Sequence, residues 1–270
     1  MRRVFPPHPI FLGSALDLDA ARWIATVGQS NVSGPRGLLV SDTIRELKAA
    51  NVWADLDYLG VYTAENAASA LVDWRGSRTA IATASPTFTA DRGYAFDGAA
   101  NYLATGFTPS THSVAATGTS FMLGVYERTN VATSTNPIGA ANGGSQTARM
   151  VTRSAGNVFN TTLNAAAVNL NTGVSTSAGL SVSTTDGVNA NGYKNGTLTA
   201  LSPVALVTPG SALTTWEVYV GCYNNNGTAS GFRATTIGWA LFGGGSWTAT
   251  QHAQFYNVMQ RFMTRLGANV

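Results

Sequence analysis

Residues 86–110, PTFTADRGYAFDGAANYLATGFTPS, constrain the fold more than any other stretch, because short aromatic-bearing segments alternate there with turn residues. Phe88, Tyr94, Phe96, Tyr102 and Phe107 supply apolar surface, while Asp91-Arg92-Gly93, Asp97-Gly98 and Thr105-Gly106 supply the bends. Tyr94 and Phe96 lie two apart, so in a strand both rings share one face. This is the pattern of antiparallel strands, and it continues from residue 79 until a final helix. The further strand candidates are residues 120–126, 149–152, 158–159, 188–194, 216–223 and 232–242. In 216–223, Trp216, Val218, Val220 and Cys222 alternate with Glu217, Tyr219, Gly221 and Tyr223, giving one apolar and one mixed face. Asn142-Gly143, Asn191-Gly192, Asn195-Gly196 and Asn226-Gly227 mark turns. Residues 160–187, rich in Thr, Asn, Ser and Ala, read as loop and edge strand. Many strands joined by short turns predict a mainly β fold, an antiparallel two-sheet sandwich.

Helical signals flank this region. Residues 15–27 fit either a helix through Trp23 or a strand over 22–27. A helix is expected to start at Ser41, which can cap it, with Asp42 in the first turn and Ile44 and Leu47 on an apolar face. A short helix is expected near 64–71. The chain closes on its clearest helix: Thr248 and Gln251 form a capping box, and Phe255, Met259, Phe262 and Leu266 recur at helical spacing. Arg261 and Arg265 fall in its last turns and Gly267 ends it. With Pro6, Pro7 and Pro9, residues 1–14 read as an extended arm that packs on a neighbour or stays disordered. The expected division is an arm or anchor over 1–40, a helical lead-in over 41–78, and a sandwich with its C-terminal helix over 79–270.

A chain of 270 residues can bury a sizeable core, and its 44% hydrophobic content suits one. Only 11% of residues are charged, their place taken by small polar residues. A net charge of +3, with Lys48 and Lys194 the only lysines, gives no nucleic-acid footprint. Cys222 stands alone, which excludes a disulfide framework and a thiolate metal site and leaves a core thiol. Prolines interrupt the N-terminal apolar residues before a signal-peptide core forms, and no stretch matches a membrane span. Synthesis and folding in a cytoplasm are expected.

Phe96-Asp97-Gly98, Tyr102-Leu103, YKNG at 193–196 and YVGCYNNNG at 219–227 follow one another in a recognisable order. With WADLD at 53–57, PTFTADRGY from 86 and the TATQH step at 248–252, the chain resembles concanavalin A-like lectin/glucanase (laminin-G-like) jelly rolls, especially those of bacteriophage and prophage virion proteins. The resemblance covers about residues 40–268. It implies a jelly-roll sandwich and a place on a phage-like particle, as a tail, fibre or head-decoration protein made in the bacterial host. The partners it implies are other virion proteins and copies of the chain itself, a homo-oligomer with three-fold symmetry as in many fibres. Catalysis is not implied: glucanases of that superfamily pair acids on one strand, and no E-x-D-x-x-E pattern stands here. Inside the matched region Asp55 and Asp57 form the one close pair, read as solvated or capping. Asp97 with Asn101 is the one candidate for calcium, read as a turn, and no cofactor or metal is expected. A non-enzymatic structural protein that holds host surface carbohydrate is therefore expected. A lectin-like module outside a virion is the alternative. Tyr223, Asn224, Asn225, Asn226 and Trp247 are the candidate sugar contacts, since such sites combine aromatic faces with loop amides. Core packing of Trp247 and turn formation by the asparagines compete with that role.

A rival lies in Gly28-Gln29-Ser30-Asn31, which resembles the nucleophile block of SGNH-type carbohydrate acetylesterases, where a strand delivers the serine. Ser30 would be that nucleophile. His8, His112 and His252 all lack an Asp three residues earlier, and residues 35–85 lack the glycine and asparagine blocks of that class. The competing reading is a turn whose Gln and Asn side chains bond the backbone.

Overall fold

A computed structural model describes residues 15–143, 146–207 and 209–270; the expected arm at 1–14 lies outside them. Residues 18–27 resolve as helix α1 (Leu18–Val27), capped by the Asp17 carboxylate and burying Ala20, Trp23 and Val27 along one face. Helix α2 (Gly34–Ala49) starts seven residues before the expected Ser41, because the Ser33 hydroxyl accepts from the Arg36 N–H and Pro35 suits the first turn. Ser41 is instead buried inside α2, where its hydroxyl accepts from the Asp17 N–H at 2.8 Å. The helix therefore runs across the expected boundary at residue 40. Helices α3 (Ala67–Leu71) and α4 (Pro109–His112) are short. Helix α5 (Ala249–Arg265) carries the expected Thr248–Gln251 capping box.

Among the described residues, eighteen strands make two nine-stranded sheets. The inner sheet comprises β1 (Leu56–Val61), β3 (Thr87–Thr89), β4 (Gly93–Ala95), β6 (Phe121–Glu127), β11 (Gly179–Thr185), β12 (Asn189–Lys194), β13 (Thr197–Leu198), β14 (Val204–Ala205) and β18 (Thr236–Gly243). The outer sheet comprises β2 (Ile81–Thr83), β5 (Tyr102–Ala104), β7 (Ile138–Ala141), β8 (Thr147–Val151), β9 (Phe159–Leu163), β10 (Val168–Asn171), β15 (Tyr219–Val220), β16 (Tyr223–Asn225) and β17 (Thr228–Ser230). Pairing is antiparallel apart from β16 beside β7. The expected two-sheet sandwich with N-terminal helices and a C-terminal helix is what forms.

Strand alternation divides the apolar residues between two cores. Met122, Tyr126, Leu180, Val182, Trp239 and Leu241 of the inner sheet face a helical layer that contributes Trp23, Ile44, Phe255 and Phe262. Phe121, Leu123, Val125 and Phe242 face the outer sheet, meeting Leu103, Ile138, Met150, Phe159 and Val220. The centre of the inner sheet is thus covered on both faces, which explains why β6 and β18 read as near-unbroken apolar runs. Among the described residues, only one face of the outer sheet is covered.

Three expectations are corrected. Residues 56–61 belong to the sheet as β1, paired with β18 from Leu59↔Leu241 to Val61↔Trp239, and not to a helical lead-in. Strand β11, expected as loop and edge, is wholly buried between β6 and β12. Its Leu180 and Val182 face the helices, and Ser183 faces the other sheet, where its hydroxyl meets that of Thr161 at 3.0 Å. The expected strand over 216–223 breaks at Gly221, whose φ of 91° and whose missing Cβ, which would lie 2.5 Å from the Phe96 ring, both require glycine.

Candidate functional site

The uncovered face of the outer sheet is built by the residues that alternate with its core positions. Leu103, Val220, Ile138, Ala140, Ala148, Met150, Phe159 and Leu163 point into the sandwich. Their neighbours therefore point out: Tyr102, Tyr219, Gly139, Arg149, Asn160 and Thr162. Register aligns one row across five strands, Ala104↔Tyr219, Tyr219↔Gly139, Gly139↔Arg149 and Arg149↔Thr162. Gly139 is required in the middle of this row, since a Cβ there would lie 2.5 Å from Arg149 Cβ.

Aromatic rings gather on the β15 and β16 side of Gly139. Tyr102 and Tyr219 lie with ring centroids 4.5 Å apart, and Phe232 lies 6.2 Å from Tyr102. Burial first, then Tyr102 and Glu217, push the Tyr219 hydroxyl up to about 12, so it stays a neutral donor and acceptor. Burial raises the Glu217 carboxyl, and the Gly106 N–H it accepts offsets part of that rise. The Tyr223 ring packs beneath the Arg149 guanidinium, 4.8 Å from its centroid. Arg149 is the one charged residue in the nine strands of this sheet. Its guanidinium makes no hydrogen bond or ion pair with the described residues. Asn160, Thr162 and Asn169 extend the face as uncharged hydrogen-bonding groups, all at least partly exposed.

Of the five candidate sugar contacts, Tyr223 lies on this face and Asn225 and Asn226 are exposed at the turn between β16 and β17. Asn224 is a buried turn residue: its Nδ2 donates to the Glu217 carbonyl at 3.1 Å and its Oδ1 accepts from the Gly227 N–H at 2.8 Å. Asn226 Oδ1 accepts from the Trp216 indole N–H at 3.0 Å, which sets that half-buried ring against the turn. Trp247 is elsewhere, a correction to its grouping with the loop. It is 5% exposed in the helix-side core, its indole N–H donates to Asp55 Oδ2 at 3.1 Å, and it packs on Phe255. Sequence reasoning missed Arg149, Tyr219, Tyr102 and Phe232 as one cluster. The alternation within 216–223 already put Tyr219 and Tyr223 on one mixed face, but strand register was needed to bring Tyr102 and Arg149 beside them.

The other candidates are absorbed by local structure. Ser30 is exposed in a 3-10 turn, Gln29–Asn31, that follows a helix and not the strand an esterase would use. Asn31 Nδ2 bonds the Val27 carbonyl at 3.0 Å, as the turn reading requires. His112 Nδ1 accepts from the Thr108 N–H at 2.9 Å and His252 stacks on Tyr193, so neither reaches Ser30, while His8 lies outside the described residues. The Asp57 carboxylate accepts from the N–H groups of Val114, Ala115 and Ala116. The backbone N–H groups of Ala100 and Ala99 hold the Asp97 carboxyl below its ordinary range within the expected turn. An open groove of about 480 Å³ separates α2 from α5, but its rim is the paired Glu46 and Arg261 and no aromatic face lines it.

No protein-family model and no curated protein matches this chain. Among solved structures it is similar to a Trypanosoma rangeli sialidase in complex with 2,3-difluorosialic acid, at 13% identity and a TM-score of 0.55 over 85% of this chain. The chain spans 40% of that sialidase's length. It is also similar to domain 4 of a GH43 extracellular arabinanase from Geobacillus stearothermophilus in complex with arabinotriose, at 11% identity and a TM-score of 0.52, over 75% of this chain and 98% of that one. Neither structure comes from a phage. At such identities the similarity shows the fold, a β-sandwich also present in carbohydrate-active proteins. It corrects one expectation drawn from the sequence: solved structures with this fold belong to enzymes, so the fold gives no ground for excluding catalysis, and enzyme status stays open.

Proposed function

We propose that the chain is a carbohydrate-binding β-sandwich that uses the solvent face of its outer sheet. The observation that carries this is the gathering of Tyr102, Tyr219, Tyr223 and Phe232 near Gly139, on a face otherwise lined by Arg149 and by Asn and Thr side chains. Aromatic faces take the C–H patches of sugar rings, and amides and hydroxyls match their hydroxyl groups. The likeness in fold to an arabinanase domain in complex with arabinotriose supports the same direction. A glycan microarray is the direct test. Wild-type chain should bind a defined set of oligosaccharides, and Tyr219→Ala and Tyr223→Ala should each remove most of that binding while shifting Tm by less than about 4 °C. Trp247→Ala should lower Tm by roughly 6–20 °C, as expected of a buried tryptophan. A wild type that binds no glycan sinks the proposal.

The setting we propose is a phage or prophage particle, where the chain would act as a tail, fibre or head-decoration component beside other virion proteins and copies of itself. Its support is the order of sequence motifs, from WADLD at 53–57 through PTFTADRGY and YVGCYNNNG to the TATQH step. Host surface polysaccharide would then be the natural ligand. Cryo-EM of purified particles from the source tests this independently: ordered density for the chain on head or tail is the expected result, and its absence from particles removes the setting without touching the carbohydrate reading.

A further inference from the structure

We infer that the glycan taken by this face is an acidic one, with a sugar carboxylate seated on Arg149. The inference rests on the carbohydrate-binding reading above and narrows its substrate class. In the nine strands of the outer sheet Arg149 is the single charge, and no strand residue is a carboxylate. Arg149 is a half-buried residue whose guanidinium offers five N–H donors in a planar fork, and none of them is taken up by the described residues. Desolvating a cation without a counter-ion is costly, so a position like this favours an anion brought by the ligand. The geometry suits a bidentate acceptor. The Tyr223 ring lies against one side of the guanidinium, 4.8 Å away, which fixes its plane. Gly139, with no side chain of its own, lies beside it, and beyond Gly139 stands Tyr219 in the same cross-strand row. A chain of sugars laid along this row would stack one ring on Tyr219 and present the carboxylate of another to Arg149.

Arg153 provides an internal contrast. It lies two residues beyond the same strand, but its Nε donates to Asn157 Oδ1 and its NH1 to Asn130 Oδ1, both at 2.8 Å. Its hydrogen-bonding capacity is already engaged in fixing a loop.

The test uses the full chain and tetragalacturonate, its methyl ester and a neutral xylo-oligosaccharide in isothermal titration calorimetry. The ester keeps the sugar shape and removes the charge. Wild type is expected to bind the acid at least about tenfold more tightly than the ester, with the difference shrinking in high salt. Arg149→Met should bind acid and ester equally with Tm unchanged, whereas Arg153→Met should behave as wild type. Equal or weaker wild-type affinity for the acid overturns the charge inference and leaves the carbohydrate face standing, as does an acid preference that survives Arg149→Met. Failure of the wild type to bind acid, ester and neutral oligosaccharide alike ends both.

Discussion

His252 is a histidine whose surroundings leave room for only one protonation state. It is 1% exposed, stacks on Tyr193 with centroids 3.6 Å apart, meets the edge of Trp247 at 5.3 Å, and its buried Nε2 has no hydrogen-bond partner among the described residues. Burial holds its pKa down to about 3, against 6.5 for a free histidine. Because the folded-state value is the lower one, the unfolded chain takes up the proton first as pH falls. The contribution to stability is therefore complete above about pH 6.5 and declines toward pH 3, at up to about 1.4 kcal/mol per pH unit. Replacing His252 with Phe keeps a ring in the stack and removes the titration. Denaturant unfolding between pH 4 and 7 should show a shallower acid limb for His252→Phe than for wild type; identical slopes would mean that His252 is protonated in the folded protein.

At the scale of elements, the end of β6 is tied to distant chain by one buried ion pair. Glu127 and Arg233 are both fully buried, with Arg233 Nε 2.7 Å from Glu127 Oε1. The remaining guanidinium donors reach the carbonyls of Val131 at 2.9 Å, Thr133 at 2.9 Å and Thr135 at 3.2 Å, and the Thr152 hydroxyl at 3.0 Å, so Arg233 binds the loop after β6 as well as the strand. Removing one partner leaves an uncompensated buried charge, which costs about 3–5 kcal/mol, whereas removing both is far milder. Glu127→Gln should be destabilised by that amount in urea unfolding, and adding Arg233→Met should recover a large part of it. A double variant as unstable as the sum of the singles would show that the two residues act separately. Nothing in the sequence pairs two residues 106 positions apart. Local signals did better: the Thr248–Gln251 box and the Phe255, Met259, Phe262 stripe place α5 to the residue. Where two layers cover a strand, alternation fails as a signal. That is why β1 reads as part of a lead-in and β11, with its serines and threonines satisfied across the sandwich, reads as a loop. The solvent face was legible only in part for a related reason. Tyr223 stands out in a motif, but Arg149 gains its meaning from register with Gly139 and Tyr219, which no local pattern encodes.

For the whole molecule, the two cores make the first helices integral to the sandwich rather than an anchor placed before it. The inner sheet needs cover on the face that carries Met122, Tyr126, Trp239 and Leu241, and α1 and α2 supply Trp23, Val27, Val40, Ile44 and Leu47 to that layer beside α5. Trp23 is also tied in by its indole N–H, which donates to the Val72 carbonyl at 3.2 Å, and by an edge contact with Trp74 at 6.4 Å. Losing one buried tryptophan costs about 3–5 kcal/mol, and a domain has only about 5–15 kcal/mol in hand. Deleting residues 1–40 removes Ala20, Trp23, Val27 and Val40 together and truncates α2 before its buried Ser41. That deletion should abolish cooperative unfolding and expose the inner sheet, seen as loss of a single thermal transition and gain of binding to a hydrophobic dye. If the chain lacking residues 1–40 instead unfolds cooperatively near the wild-type Tm, the sandwich is self-sufficient and α1 with the start of α2 is the detachable anchor that the sequence suggested.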